Sequence, residues 1–225
     1  MANSSKNKSA GSSGLVKAYL LFYNFASCAA WGHVLLRAAS HLAAEESGGF
    51  ATLYSAIGDE LLWVQTGAAL EILHSLFGLV RSPVGTTVTQ VFSRLLLVWG
   101  ICNQFHVPAV QSHWAYTSMT FAWSITEVVR YLFYGLNLLG QQPSWLLWCR
   151  YTFFLVLYPI GAGSEAMLVY QALPAADALY PYYGYILRAI LLVYPPGLGV
   201  MYTHMLGQRK RYLRAQALDK GKKRQ

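Results

Sequence analysis

A tyrosine and a glutamate lie seven residues apart in the apolar stretch LYPIGAGSEAMLVY, which covers residues 157–170. Seven residues fall about 20° short of two helical turns, so Tyr158 and Glu165 would share one helix face, separated by about 10.5 Å of rise. A carboxylate inside a membrane helix is costly and therefore usually has a partner or a function. A phenol and a carboxyl group that face one site can act as an acid and a base. The spacing makes these two residues a candidate catalytic pair.

The residues between the pair are small or helix-disrupting. Gly161 and Gly163 remove side-chain bulk, so a substrate chain or a neighbouring helix could approach the backbone closely. Because a straight helix keeps the pair two turns apart, we expect a local distortion between Pro159 and Gly163. Tyr151 lies another seven residues back on the same face. Spacing alone also permits a second interpretation, in which the glycines serve helix packing and Glu165 has a structural partner.

Two further glutamates, Glu71 and Glu127, fall in apolar segments. Glu127 and Arg130 are three residues apart and hence on one helix face, which predicts an ion pair. Glu71 and His74 have the same spacing, but a carboxylate-bundle iron site needs two Glu-x-x-His motifs and this chain has one. The cysteines are scattered and form no CxxC pair, which is typical of packing residues: Cys28, Cys102 and Cys149. We therefore predict no metal site and no disulfide framework.

The composition indicates a membrane protein. Of the 225 residues, 55% are hydrophobic and only 12% are charged, whereas a soluble domain carries about 25% charged residues. A spanning helix needs about 20 mostly apolar residues, and six segments qualify, so we predict an all-α polytopic membrane protein with a six-transmembrane-helix bundle. Pro195 and Pro196 predict a kink or a break in the last segment. The segments are 18–36, 61–80, 92–110, 114–134, 145–173 and 182–206.

Loop charges predict the orientation of this bundle. With six crossings, one side receives Lys6, Lys8, Lys17, Arg81, Arg94 and the basic tail, in which eight basic residues and one acid follow residue 208. The other side receives mostly acids, namely Glu45, Glu46, Asp59, Glu60 and Asp177, with Arg37 as the exception. The positive-inside rule then puts both termini in the cytosol. The basic tail, directly after an apolar segment, suits anionic lipid rather than nucleic acid.

We divide the chain into a disordered cytosolic tail (1–14), a six-helix membrane domain (15–208) and a basic cytosolic tail (209–225). Lys222 and Lys223 stand at the fourth and third positions from the end, where the dilysine retrieval signal of endoplasmic reticulum membrane proteins has its lysines. Such a signal is read by a receptor and requires a cytosolic C-terminus. The sequence thus predicts a multi-pass protein of the endoplasmic reticulum membrane, unless the lysines are only part of the basic tail.

Several ordered stretches together resemble the very-long-chain (3R)-3-hydroxyacyl-CoA dehydratases, a family also called protein-tyrosine-phosphatase-like, whose plant members are the PASTICCINO-type proteins. The resemblance covers nearly the whole chain after the N-terminal tail. The stretches that carry it are LFYNFASCAAWG, LEILHSLFGLVRSP, WSITEVVRY, WCRYTFF, the Tyr158–Glu165 segment and MYTHMLGQRKR.

The resemblance implies a hydro-lyase of the fatty acid elongation cycle that dehydrates a very-long-chain 3-hydroxyacyl-CoA to the trans-2-enoyl-CoA. The tyrosine and glutamate that the family uses match Tyr158 and Glu165. The implied partners are the acyl-CoA substrate, membrane lipid and the other elongase enzymes, namely the condensing enzyme, the ketoacyl-CoA reductase and the enoyl-CoA reductase. Because no electrons move in this reaction, neither a redox cofactor nor a metal is implied.

Dehydration removes a proton from C2 and protonates the hydroxyl that leaves C3, so two proton-handling groups must converge. Either Glu165 donates to the hydroxyl while Tyr158 takes the C2 proton, with Arg150 or Arg130 activating the phenol, or the two roles are reversed. We expect the CoA phosphates near Arg81, Arg94 and Arg150 at the cytosolic surface, unless these arginines only obey the positive-inside rule. Gly161 is a further candidate for substrate contact, and Glu127, Arg130 and Tyr151 are candidate supporting residues.

Three other functions can be weighed against this one. Residues 74–82 follow the phosphatase pattern HCxxGxxRS, but Ser75 replaces the nucleophilic cysteine, and a hydroxyl without a base is a poor substitute. A catalytically inactive scaffold of the elongase complex is the main alternative. Buried glutamates would also suit a proton-coupled transporter, although the chain shows no internal repeat.

Overall fold

The structure is a computed structural model that describes residues 14–46 and 48–222, and every regular element in that part of the chain is a helix. A short 3₁₀ helix, Gly49–Thr52, precedes α2, and a π-helix, Leu96–Asn103, directly continues α4. The predicted disordered tail, apart from Gly14, and Lys223 of the dilysine prediction lie outside the described residues. The α-helices are α1 Gly14–Ala43, α2 Leu53–Gly67, α3 Leu70–Leu76, α4 Val84–Leu95, α5 Pro108–Gln111, α6 Trp114–Leu138, α7 Ser144–Thr152, α8 Phe154–Leu179 and α9 Pro181–Lys222.

Helix α6 is the centre of the bundle. It packs along α1 on one side and along α8 on another, and α9 packs on the outer side of α8. Its buried Tyr116 and Tyr131 belong to the same apolar core as Trp31 of α1. A central α6 is thus in a position to present side chains to several neighbouring helices at once.

Two helical stretches are long and apolar enough to cross a membrane, namely 84–103 and 182–214. Helices α7 and α8 make a third if the pair, bent by 42°, forms one span. Helix α1 and helix α6 are long enough but carry ionisable and polar residues, among them Lys17 and Arg37 in α1 and Glu127 and Arg130 in α6. The described part of the protein is therefore all-helical, with two to three candidate membrane spans.

The second predicted segment, 61–80, is wrong as a single helix. The chain forms α2 and α3 with a break at Ala68 and Ala69, and α3 ends at Leu76. Gly78 has a φ of 67°, and the Leu79 amide donates to the carbonyl of His74 at 2.8 Å. This is a Schellman termination, which a glycine in the left-handed region favours.

The third and sixth segments also differ from their predictions. The third begins earlier, at Val84, and ends as a π-helix at Asn103, so Pro108 begins the short α5 instead of lying near the end of the span. The sixth continues through Pro195 and Pro196 without a break. Membrane helices tolerate such prolines where a neighbouring helix supports the chain, and α9 packs along α8.

The fifth segment bends at Phe153, and α8 is assigned as one helix through Pro159 to Gly163, where we expected a local distortion. Proline lacks an amide hydrogen, so Pro159 leaves the carbonyl of Leu155 without its helical donor. The Tyr202 hydroxyl of α9 donates to that carbonyl at 3.3 Å. Helix α8 can therefore remain continuous across Pro159, which keeps Tyr158 and Glu165 on one regular helix.

Candidate active site

Glu165 is held between three helices. The Trp123 indole Nε1 of α6 donates to its Oε1 at 2.8 Å, and the Tyr194 hydroxyl of α9 donates to its Oε2 at 3.0 Å. One residue earlier, the hydroxyls of Ser164 and Ser118 are 2.6 Å apart and join α8 to α6. The carboxylate is therefore fixed in position, with one hydrogen-bond donor on each oxygen.

Tyr158 lies on the same helix as Glu165, with its ring stacked on that of Tyr202 at a centroid distance of 6.4 Å. No hydrogen bond joins Tyr158 to Glu165 within the described residues. Both side chains are partly buried. Because the two residues are seven positions apart on one continuous helix, a substrate that reached both groups would contact α8 from one side.

A second cluster of charges lies beside this site. The buried Glu127 pairs with Arg130 at 2.6 Å, which is the ion pair that the spacing predicted, and also with Arg94. Arg130 donates to both carboxylate oxygens of Glu71, at 2.8 and 2.9 Å, and the Tyr131 hydroxyl donates to Glu71 at 2.5 Å. Such bidentate pairs fix geometry as well as charge. The cluster joins α3, α4 and α6.

The two groups of residues meet at Arg94. Its guanidinium carbon is 4.9 Å from the centre of the Trp123 ring, and Trp123 donates to Glu165. We expected Arg94 at the cytosolic surface against CoA phosphate; it lies between Glu127 and Trp123, with its side chain 26% exposed. A chain of contacts therefore leads from Glu71 through Arg130, Glu127 and Arg94 to the Glu165 site.

The other expected contact residues have different neighbours, although Arg150 and Arg130 both lie over the Tyr134 ring. Arg81 is exposed in the turn after α3. Arg150 lies 4.4 Å over the Phe133 ring, and Tyr151 stacks on Tyr212 at 4.5 Å. Neither Arg130 nor Arg150 contacts Tyr158 through an ion pair or a ring interaction in the described part of the chain.

Gly161 packs against α6. A methyl group built on it would meet the Ala122 side chain at 3.5 Å, an ordinary contact distance. The position therefore brings α8 and α6 close together without strain. Gly163, by contrast, is exposed, and an added methyl group there would meet no described residue within 4 Å.

The phosphatase-like segment forms a turn with internal hydrogen bonds. The Ser75 hydroxyl donates to the carbonyl of Ser82 at 2.7 Å, and the His74 ring is hydrogen-bonded to the Tyr19 hydroxyl at 2.8 Å. Ser75 therefore closes the turn instead of facing an open phosphate site. Among the residues that the structure describes, no three His, Cys, Asp or Glu side chains converge as a metal ion would require.

Sequence reasoning missed Trp123 and Tyr194. Trp123 lies four residues before Glu127, so the two share a helix face, which was a usable signal in the stretch WSITEVVRY. Tyr194 offered no comparable signal, because its contact with Glu165 depends on how α9 packs against α8.

Comparisons with known proteins agree with the sequence resemblance. The family model described as protein tyrosine phosphatase-like protein, PTPLA, matches residues 65–215. A probable very-long-chain (3R)-3-hydroxyacyl-CoA dehydratase of Schizosaccharomyces pombe is 46% identical over 86% of this chain and 91% of its own length. The dehydratase PASTICCINO 2 of Arabidopsis thaliana is 44% identical, with coverages of 88% and 93%, and dehydratase 2 of Homo sapiens is 37% identical, with coverages of 88% and 82%. No solved structure matches the chain.

Proposed function

This chain belongs to the protein tyrosine phosphatase-like family, and we propose that it removes water from a very-long-chain 3-hydroxyacyl-CoA to give the trans-2-enoyl-CoA, with Tyr158 and Glu165 as its catalytic pair. It is then a hydro-lyase of the fatty acid elongation cycle. The observation that carries the proposal is the position of the Glu165 carboxylate. It lies on the same helix as Tyr158 and accepts hydrogen bonds from two neutral donors on other helices. The full-length similarity to named dehydratases supports the substrate class.

The reaction needs two proton transfers at neighbouring carbons. The C2–H bond breaks and its electron pair forms the C2–C3 double bond, while the C3–O bond breaks and the hydroxyl leaves as water after it takes up a proton. One residue of the pair gains the C2 proton and the other supplies the proton of the water. A proton must then pass back between them, directly or through water, before the next turnover. Groups of this kind contribute roughly 10²- to 10⁴-fold to a rate.

The arginine clusters have separate roles in this proposal. Arg81 is exposed, and together with Arg150 it is our proposed contact for the CoA phosphates. Arg94 pairs with Glu127 and lies over Trp123, so we assign it to support of the site instead. Glu127 and Arg130 belong to the same support, and Tyr151 fastens α7 to α9 through its stack on Tyr212.

We propose that the chain crosses the endoplasmic reticulum membrane six times, with both termini in the cytosol. The crossings are α1, α2 with α3, α4 with the π-helix, α6, α7 with α8, and α9. The basic residues near both chain ends and the acidic Glu45 and Glu46 after α1 support this orientation. The dehydration product is a substrate for a reductase of the same cycle, so association with the other elongase enzymes is part of the proposal.

The proposal is tested by incubating the purified full-length protein, in detergent or lipid nanodiscs, with a long-chain 3-hydroxyacyl-CoA. Formation of the enoyl-CoA by the wild type, and its loss in Glu165→Gln, is the expected result. The control is Glu60→Gln, which alters an exposed pair with Arg37. A wild type that forms no product while a related dehydratase does so in parallel would favour the scaffold function instead.

A further inference from the structure

The Glu165 carboxylate has two neighbours that the Tyr158–Glu165 motif does not include. Trp123 of α6 reaches Oε1 and Tyr194 of α9 reaches Oε2, at 2.8 and 3.0 Å. Trp123 is almost fully buried, and Tyr194 is partly buried. Both contacts come from other helices, so they depend on tertiary packing and fix the carboxylate plane relative to α6 and α9.

The chemistry of these two donors is different. An indole N–H can only donate, whereas a phenol can both donate and accept. Oε1 must therefore act as an acceptor toward Trp123 whether Glu165 is charged or neutral. The partner of Oε2 is the Tyr194 hydroxyl, which can change from hydrogen-bond donor to acceptor when the carboxyl group takes up a proton.

We propose that Trp123 and Tyr194 are positioning residues for Glu165, and that proton exchange with the substrate takes place at Oε2. The inference rests on the proposed function, because it concerns how Glu165 handles the proton. Trp123 holds Oε1 as an acceptor, so the transferable proton is confined to Oε2. The Tyr194 hydroxyl donates to Oε2 when the group is a carboxylate and can accept from it when the group is protonated.

The position of Trp123 is itself fixed by the neighbouring ion cluster. Arg94 lies 4.9 Å over the indole ring and pairs with the buried Glu127. A cation over an aromatic face is attracted to it, and the ring is almost completely shielded from solvent. The orientation of the indole N–H toward Glu165 therefore depends on contacts that do not involve the substrate.

The test compares Trp123→Phe and Tyr194→Phe with two matched controls in the full-length protein. Trp99→Phe removes an indole that donates to Thr66 at 3.0 Å, and Tyr183→Phe removes a hydroxyl that donates to the carbonyl of Gly100. Each control deletes the same chemical group in a hydrogen bond that does not involve Glu165. The kcat and KM for a long-chain 3-hydroxyacyl-CoA and the melting temperature are measured for all four variants.

We expect each of the two site variants to lower kcat about ten- to hundredfold, because one hydrogen bond to a charged group is lost. KM should stay within about twofold, since neither side chain is assigned to substrate binding; a purely structural role would instead appear as a lower melting temperature with an unchanged kcat per folded molecule. Both controls should keep the wild-type kcat. Trp123→Phe tests the role of the indole at Oε1, and Tyr194→Phe tests the role of the hydroxyl at Oε2. If one variant fails to fold, the other still tests the inference.

The outcomes separate this inference from the proposed function. If Glu165→Gln is inactive while both site variants keep the wild-type kcat, the positioning roles are wrong and the catalytic role of Glu165 stands. If Glu165→Gln itself remains active, the proposed catalytic pair is wrong. A rise in KM with an unchanged kcat in the site variants would mean that these residues contact the substrate, which also overturns the inference.

Discussion

Glu127 and Glu165 are both directed into the helix bundle, but their partners differ in charge. Glu127 is paired with two guanidinium groups, those of Arg94 and Arg130. Among the described residues, the hydrogen bonds to Glu165 come from the neutral Trp123 and Tyr194. A carboxylate matched by two cations is held as an anion, whereas one held by neutral donors can change its protonation state. The difference separates a structural glutamate from one that is available for proton transfer.

The two regions are also connected, since Arg94 contacts Glu127 and lies over Trp123. The ion cluster can therefore support the catalytic region without taking part in the reaction. This arrangement predicts that changes in the cluster act mainly on stability and that changes around Glu165 act mainly on turnover.

The largest expected effect on stability is that of Glu127→Gln. The substitution leaves Arg94 and Arg130 near each other without the carboxylate between them. Removing one partner of a buried ion pair lowers the free energy of unfolding by about 3–5 kcal/mol. We expect the free energy of unfolding in mixed micelles, measured by detergent titration, to fall by about 3 kcal/mol.

Glu60→Gln is the matched control for that change, because its partner Arg37 is 50% exposed. Exposed ion pairs contribute about 0–1 kcal/mol. Equal losses of stability in the two variants would contradict the structural role that we give to Glu127.

A smaller effect is expected for Tyr202→Phe. The variant keeps the ring that stacks on Tyr158 but removes the hydroxyl that donates to the carbonyl of Leu155. The free energy of unfolding should fall by about 1 kcal/mol, the usual value of one net hydrogen bond. Tyr170→Phe, on the exposed side of α8, is the control and should leave stability unchanged. If Tyr202→Phe were equally neutral, Pro159 would not depend on this hydroxyl.

The smallest expected effect is that of Gly161→Ala. The added methyl group would lie 3.5 Å from Ala122, and a helix interior gains about 0.5–1 kcal/mol when alanine replaces glycine. We expect a free energy of unfolding within about 1 kcal/mol of the wild type. A loss well beyond that value would show that α6 and α8 are packed too tightly to admit even a methyl group next to the Glu165 region.

The sequence predicted the helical class, the ion pair between Glu127 and Arg130, and the family. These features depend on composition, on short spacings and on ordered motifs. The positions of helix breaks were harder to predict, because Gly78 ends α3 through its left-handed conformation and the Tyr202 hydroxyl supports Pro159 from another helix. Periodicity contains no information about such long-range partners.

The same limit applies to the candidate site. Tyr158 and Glu165 could be identified because they share one helix, whereas Tyr194 is 29 residues away from Glu165 in sequence. Arg94 was placed at the surface by the charge pattern of the loops, since positive-inside statistics do not identify a buried partner such as Glu127. Residues on one element could therefore be grouped from the sequence, and residues on different elements could not.

The most direct test of the comparison is to measure dehydration rate and stability together for Glu165→Gln and Glu127→Gln. We expect Glu165→Gln to lose roughly 10²-fold or more of kcat while its melting temperature stays close to that of the wild type. Glu127→Gln should have a lower melting temperature, and its loss of kcat per folded molecule should be smaller than that of Glu165→Gln, because Glu127 acts on the site only through Arg94 and Trp123. The opposite pattern, an active Glu165→Gln beside a stable but inactive Glu127→Gln, would show that the glutamate paired with the two arginines is the catalytic one.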